Sequence, residues 1–106
     1  MRRNVRWRYL ALRIDAEDTF TSKELMDTIW NSVSKLYGEY GASRTGLALI
    51  DYDAEEKFAV IRATHVSLEN VRTAIAVITS IGNKPATIHV LAVSGTIRAL
   101  LKKTKH

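Results

Sequence analysis

A chain of 106 residues has room for one hydrophobic core and not two, and 46% hydrophobic residues with only five Gly and one Pro exclude a disordered or fibrous chain. The absence of cysteine removes disulfides, thiolate nucleophiles and Cys-based zinc sites together. The net charge of +5 is unevenly placed: Arg2, Arg3, Arg6, Arg8 and Arg13 open the chain and Arg98, Lys102, Lys103 and Lys105 close it, whereas residues 15–97 hold seven cations against eleven anions.

Arg6 to Ile14 alternates, with Leu10, Leu12 and Ile14 on one side and Trp7, Tyr9 and Ala11 on the other, which predicts a strand apolar on both faces. After the acidic break Asp15 to Asp18, Thr21-Ser22-Lys23-Glu24 has the form of a capping box. Leu25, Ile29, Val33, Leu36 and Tyr37 then recur at helical spacing, predicting a helix that ends near Gly38 and a loop from Gly38 to Gly46. Leu47 to Tyr52 and Phe58 to Thr64 flank the acidic turn Asp53-Ala54-Glu55-Glu56 and predict a hairpin. Ser67 is placed to cap a second helix carrying Leu68, Val71, Ile75 and Ile78 and reaching toward Gly82. Pro85 precedes a last strand, Ala86 to Val93, and Ser94-Gly95-Thr96 leads into a short helix, Ile97 to Lys103.

This order predicts an α+β fold, a ferredoxin-like or RRM-like βαββαβ sandwich with an antiparallel sheet and an added C-terminal helix. One domain is expected over residues 1–106, with a basic arm at 1–5 and a basic terminal helix at 96–106. In that topology the first and last strands are antiparallel neighbours, so the two basic ends should meet in one patch. Arg98, Lys102 and Lys105 share a helical face opposite Ile97, Leu100 and Leu101. Such a patch suggests a polyanionic partner. The basic N-terminus lacks the apolar run of a signal peptide and no stretch approaches the ~20 apolar residues of a membrane span, so a soluble, cytoplasmic protein without a membrane partner is expected.

Catalytic templates find little support. Asp51 and Asp53 stand two apart at a strand end, but paired acids there are usually solvated turn residues, and His65 and His89 lack metal-ligand spacing. A nuclease built from Asp51, Asp53 and His65 is the enzymatic alternative. The Gly-rich stretch follows a helix and lacks the Gly-Lys-Ser/Thr ending of a phosphate-binding loop, while Asp15-Ala16-Glu17-Asp18 would repel the phosphate of an acylphosphatase-like site. Lys57-Phe58-Ala59-Val60-Ile61 matches the base-stacking pattern of RNA-recognition motifs only in outline, and Phe58 reads as a core residue. Trp7 and Tyr9, interleaved with Arg6 and Arg8, are the better stacking candidates. The apolar Leu91 and Val93 nearby leave open that the terminal helix or a partner protein covers this face instead.

Arg8-Tyr9-Leu10, Leu36-Tyr37-Gly38-Glu39 with Gly41 and Gly46, Ile81-Gly82 with Lys84-Pro85, and Val93-Ser94-Gly95-Thr96-Ile97-Arg98-Ala99-Leu100 together resemble the archaeal ribonuclease P protein component 2 family, shared with a eukaryotic subunit of that enzyme. The resemblance covers almost the whole chain, and its last stretch is the most specific. It implies a ribonucleoprotein subunit without catalytic residues of its own, which supports the catalytic RNA in removing the 5′ leader from precursor tRNA. The implied partners are ribonuclease P RNA, ribonuclease P protein component 3 and precursor tRNA, with a homodimer or heterotetramer as the assembly. The implied chemistry belongs to the RNA and its magnesium, with no cofactor on the protein. For Gly95-Thr96-Ile97-Arg98 it implies a tight turn aiming the basic helix; a plain helix start, with Gly for backbone freedom, fits equally. The candidate RNA-binding residues are Arg2, Arg3, Arg6, Arg8, Arg98, Lys102, Lys103 and Lys105, with Trp7, Tyr9 and Leu91 as a stacking or partner face. The alternative is a ferredoxin-like protein-interaction or ligand-binding module whose basic ends are incidental.

Overall fold

The structure, a computed structural model, describes residues 5–104. Four strands, β1 (Trp7–Asp15), β2 (Ala48–Asp53), β3 (Phe58–Thr64) and β6 (Thr87–Ser94), form an antiparallel sheet in the order β2-β3-β1-β6. The long helix α1 (Ser22–Ser43) and the shorter α2 (Leu68–Ala76) pack on one face, and α3 (Ile97–Thr104) lies on the other. The predicted order of elements and the added helix are all present, giving a ferredoxin-like sheet sandwiched between two helical layers.

The alternation in β1 explains why both faces are covered. Leu10, Leu12 and Ile14 point into the main core with Leu25, Ile29 and Val33 of α1, Val71 and Ile75 of α2, and Ile61 of β3. Ala11 points the other way, beneath Leu100 of α3 and beside Val60, with Tyr9, Phe58 and Ala92 packed around them. A strand with water on one face would alternate apolar and polar; this one is apolar on both because each side carries a helix.

The capping box forms as expected: the Glu24 N–H donates to Thr21 Oγ1 at 3.1 Å and the Thr21 N–H to Glu24 Oε1 at 2.9 Å. Such a cap contributes about 1 kcal/mol. At Gly38 the backbone swings to φ 79, ψ 166, a conformation essentially confined to glycine, and a Cβ there would meet nothing within 4 Å. Backbone geometry alone therefore calls for Gly38. The stretch predicted as loop instead resumes helical turns as far as Ser43, so only residues 44–47 connect to β2.

Two further expectations are corrected. Ser67 makes no capping hydrogen bond; it ends a 3-10 turn, His65–Ser67, and its hydroxyl donates to the Arg44 carbonyl at 3.4 Å. Helix α2 also stops at Ala76, leaving buried Ile78 beyond it, because residues 80–85 fold into a small hairpin of β4 (Ser80–Ile81) and β5 (Lys84–Pro85). Its two turn residues, Gly82 and Asn83, both have positive φ, the signature of a type I′ turn.

Tyr52 ties the β2 end to the approach to α1, its hydroxyl donating to the Phe20 carbonyl at 2.5 Å. Burial, reinforced by the Glu24 and Asp53 carboxylates, holds this hydroxyl above its ordinary 10.0. The unfolded chain thus loses the phenol proton at lower pH than the folded one, so the contribution is whole below 10.0 and falls as pH rises through the folded value. Tyr52→Phe is expected to cost about 1 kcal/mol at neutral pH and to flatten the alkaline loss of stability. Urea midpoints measured on both sides of pH 10.0 check this, and equal alkaline slopes in parent and variant would contradict it.

Candidate nucleic-acid interface

The register of β1 and β6 decides whether the basic ends meet. Tyr9 stands opposite Ser94, so the chain leaves β6 for α3 beside the start of β1. Arg8 turns its Nη1 to the Trp7 carbonyl at 2.8 Å, and a Cβ on Gly95 would lie 3.4 Å from that same nitrogen. Gly95 does not adopt a positive φ, and a Cβ there would make only ordinary contact with Arg8, so the turn demands glycine neither for backbone freedom nor for space. The turn is completed by Thr96, whose Oγ1 accepts from the Ala99 N–H at 3.1 Å and whose carbonyl accepts from the Leu100 N–H at 3.1 Å. Arg98, one turn from Lys102, is exposed, as Lys102 is.

Not every predicted cation is equally free. The Lys103 Nζ donates to the Val93 carbonyl at 2.7 Å and pins the end of α3 to β6. Arg6 is exposed, and its carbonyl receives the His65 N–H at 2.7 Å. Among the described residues no carboxylate lies within 4.0 Å of Arg6, Arg8, Arg98, Lys102 or Lys103; the ion pairs found are Lys23 with Asp27 at 2.6 Å and His89 with Asp15 at 4.0 Å. Arg2, Arg3 and Lys105 fall outside the described residues.

Only part of the predicted apolar face of α3 is buried. Leu100 is completely covered, whereas Ile97 and Leu101 are exposed. The helix crosses the sheet over Tyr9, which sits half-buried against the Leu100 cluster; of the two uses left open for this part of the face, the structure has the helix covering it. Phe58 packs in the same cluster, as a core residue.

Val93 does not share a face with Trp7 and Tyr9 as its spacing suggested. The β1–β6 register shifts between Ala11, opposite Ala92, and Leu12, opposite Val90, leaving Leu91 as the extra residue of a bulge and Val93 facing the main core. A bulge reverses the alternation beyond it, and no residue type in this stretch announces one.

Trp7 is occupied differently. The Arg62 guanidinium lies 4.0 Å over the centroid of its ring, and a Cβ on Gly46, whose φ is +62, would come within 2.7 Å of the ring edge. Sequence reasoning passed over Arg62 and Arg44, the latter stacked 5.4 Å over Tyr40 and donating from Nη1 to its hydroxyl at 2.8 Å. The strand alternation placing Arg62 in register with Phe58 and Val60 was the available signal for the first.

The nuclease alternative does not assemble. Asp51 and Asp53 do face the same way, but Asp53 Oδ1 accepts the turn N–H groups of Glu55 and Glu56, both at 3.1 Å, and Asp51 Oδ1 accepts the Tyr52 N–H at 2.9 Å. Asp53 pairs with Phe58 at the start of β3 while His65 follows its other end, a separation of about 20 Å at the rise of a strand. Among the described residues no group of three His, Asp or Glu side chains could hold a metal ion. No described helix is long and apolar enough to cross a membrane.

Comparison with known proteins agrees with this architecture. "Ribonuclease P protein component 2" of Pyrococcus abyssi is 34% identical over 91% of this chain and 81% of its own length, and the protein of the same name from Methanosarcina barkeri is 31% identical over 91% and 70%. A chain in the cryo-EM structure of yeast ribonuclease MRP superposes with a TM-score of 0.73 at 20% identity, covering 96% of this chain and 91% of that one, a likeness of fold. A family model described as the Rpp14/Pop5 family matches residues 8–105, from the arginine beside Gly95 through α3, and the chain belongs to the Rpp14/Pop5 family.

Proposed function

We propose that this chain is an RNA-binding protein subunit of ribonuclease P, holding the catalytic RNA in its active fold while that RNA and its magnesium remove the 5′ leader from precursor tRNA. The names of its relatives support the enzyme. The observation that carries the mode of action is the approach of Arg8 to Gly95, which joins the basic start of β1 to the basic helix α3 with no carboxylate within 4.0 Å of those described cations. Cations gathered in this way lower the repulsion where phosphates of folded RNA converge, and so lower the magnesium needed to hold that fold.

Arg6, Arg8, Arg98 and Lys102 make the patch, with Lys103 contributing less because its ammonium is engaged by the Val93 carbonyl. Arg2, Arg3 and Lys105, outside the described residues, are further RNA-binding candidates. The protein works in the cytoplasm beside ribonuclease P protein component 3, with a homodimer or heterotetramer as the assembly, and binds no cofactor itself. If about six cations contact phosphates, log K should fall with log salt at a slope of roughly −4 to −5.

Reconstitution is the test. Added with its component 3 partner to ribonuclease P RNA, the chain should lower the magnesium concentration at which precursor tRNA is cleaved. An unchanged requirement would remove the assignment, and association with a partner that persisted unweakened at high salt would favour a protein-interaction module.

A further inference from the structure

Beyond Val60, the β3 residue packed beneath Leu100 of α3, the same sheet face carries a second arrangement of a cation on an aromatic ring. Across the sheet, Ala48, Arg62, Tyr9 and Ser94 form one row, so Arg62 stands on the side of Tyr9 away from the strand that leads into α3. Its guanidinium is held over Trp7, its Nε is buried without a hydrogen-bond partner, and among the described residues no carboxylate lies within 4.0 Å of it. A charge kept half-buried and uncompensated in this way is poorly explained by packing, for which an apolar side chain of the same length would serve without leaving a donor unpaired.

The neighbouring loop repeats the pattern. Residues 44–47 bring Gly46 against Trp7, and at the start of this loop Arg44 lies over the largely exposed Tyr40, one helical turn earlier. The hydroxyls of Thr64 and Ser67 donate to the Arg44 carbonyl at 3.3 and 3.4 Å, anchoring this loop to the end of β3 that also bears Arg62. Two arginines pinned on aromatic rings thus flank one anchored loop.

We propose that Arg62 on Trp7, assisted by Arg44 on Tyr40, forms a second RNA contact, distinct from the α3 patch, for an unpaired nucleotide and its phosphate. This rests on the reading of the chain as an RNA-binding subunit. A guanidinium fixed on one side by indole offers its free π-face to a nucleobase and its terminal N–H groups to a phosphate oxygen, the two features that one nucleotide presents together. An acidic peptide would satisfy the charge and leave the planar face unused.

The chain contains two tryptophans, Trp7 and Trp30, so in a Trp30→Phe background Trp7 is the sole emitter. Titration with a ribonuclease P RNA transcript, followed by filter retention and by that emission, should quench Trp7 in step with binding. Arg62→Met should bind the transcript about tenfold more weakly, flatten the salt slope by about 0.7–0.9 and melt no lower than the parent. Should the Met variant fail to fold, Arg62→Lys keeps the charge without the planar face and should still lose several-fold in affinity with a near-parental slope. Parental affinity in both Arg62→Lys and Arg44→Gln, with Trp7 emission unmoved at saturating RNA, overturns the inference. If Arg98→Glu with Lys102→Glu weakens binding in the same assay, the RNA-binding reading survives that failure; a parent chain that binds no RNA overturns both.

Discussion

Replacing Arg98 and Lys102 together by Glu is expected to weaken binding of ribonuclease P RNA by roughly 10- to 100-fold and to flatten the dependence of log K on log salt by about 1.4–1.8. Both side chains are exposed on α3 one turn apart, and neither makes a hydrogen bond or ion pair to another described residue, so the fold loses no contact with them. Lys102 does lie in the last turn, where a cation complements the helix dipole, and its reversal should therefore cost a few tenths of a kcal/mol of helix stability. The slope separates the interface from that small structural effect. A variant weakened through fraying of α3 would lose affinity at every salt concentration by a similar factor, whereas loss of phosphate contacts is felt most at low salt and fades as salt rises. Circular dichroism and thermal melting close to those of the parent, together with a flatter slope, are the expected result. An unchanged slope would remove α3 from the interface.

How much of this surface could be read beforehand depended on which interactions are local. The capping box at Thr21 and Glu24, the core-facing set of β1 and the pairing of β2 with β3 are specified by residues within a few positions of one another, and they stand as the sequence predicts. The adjacency of the first and last strands, which brings the exit toward α3 beside the start of β1, followed from topology, and the register of Tyr9 with Ser94 bears it out. Interactions that need one extra residue or a distant partner were not legible. The bulge at Leu91 turned Val93 into the main core. Gly38 was read as the end of a helix, yet the chain resumes helical turns beyond the kink, because a left-handed glycine interrupts the hydrogen-bond ladder without preventing the next residues from starting a new one. The Gly82-Asn83 turn did carry a recognisable signal, outweighed by the apolar periodicity of Ile75 and Ile78 running into it. Arg62 on Trp7 joins residues 55 positions apart, and only the β1–β3 register brings them together.

The attachment of α3 to the sheet rests mainly on Leu100, and its removal is the strongest stability test the fold offers. Leu100 is completely buried over Ala11 and Val60, while its neighbours Ile97 and Leu101 leave 38% and 48% of their surface in water. Leu100→Ala is expected to cost about 2–5 kcal/mol in denaturant unfolding, because a buried leucine loses both its transfer energy and the packing of the cavity left behind. Leu101→Ala, with half its surface already solvated, should cost under about 1 kcal/mol. An eight-residue helix is too short to hold together in isolation, so weakening its one buried anchor should fray α3 before the main core yields, that core being formed by Leu10, Leu12, Leu25, Ile29 and Ile61 on the far side of the sheet. Hydrogen exchange should then show α3 amides losing protection in Leu100→Ala while those of β1 and β3 keep theirs. RNA affinity should fall in the same variant although every cation is retained, since Arg98 and Lys102 on a frayed segment no longer hold fixed positions on the sheet. Parental affinity in a variant whose α3 amides exchange freely would mean that the basic residues act as an unstructured tail, and the helix would then have no part in presenting them.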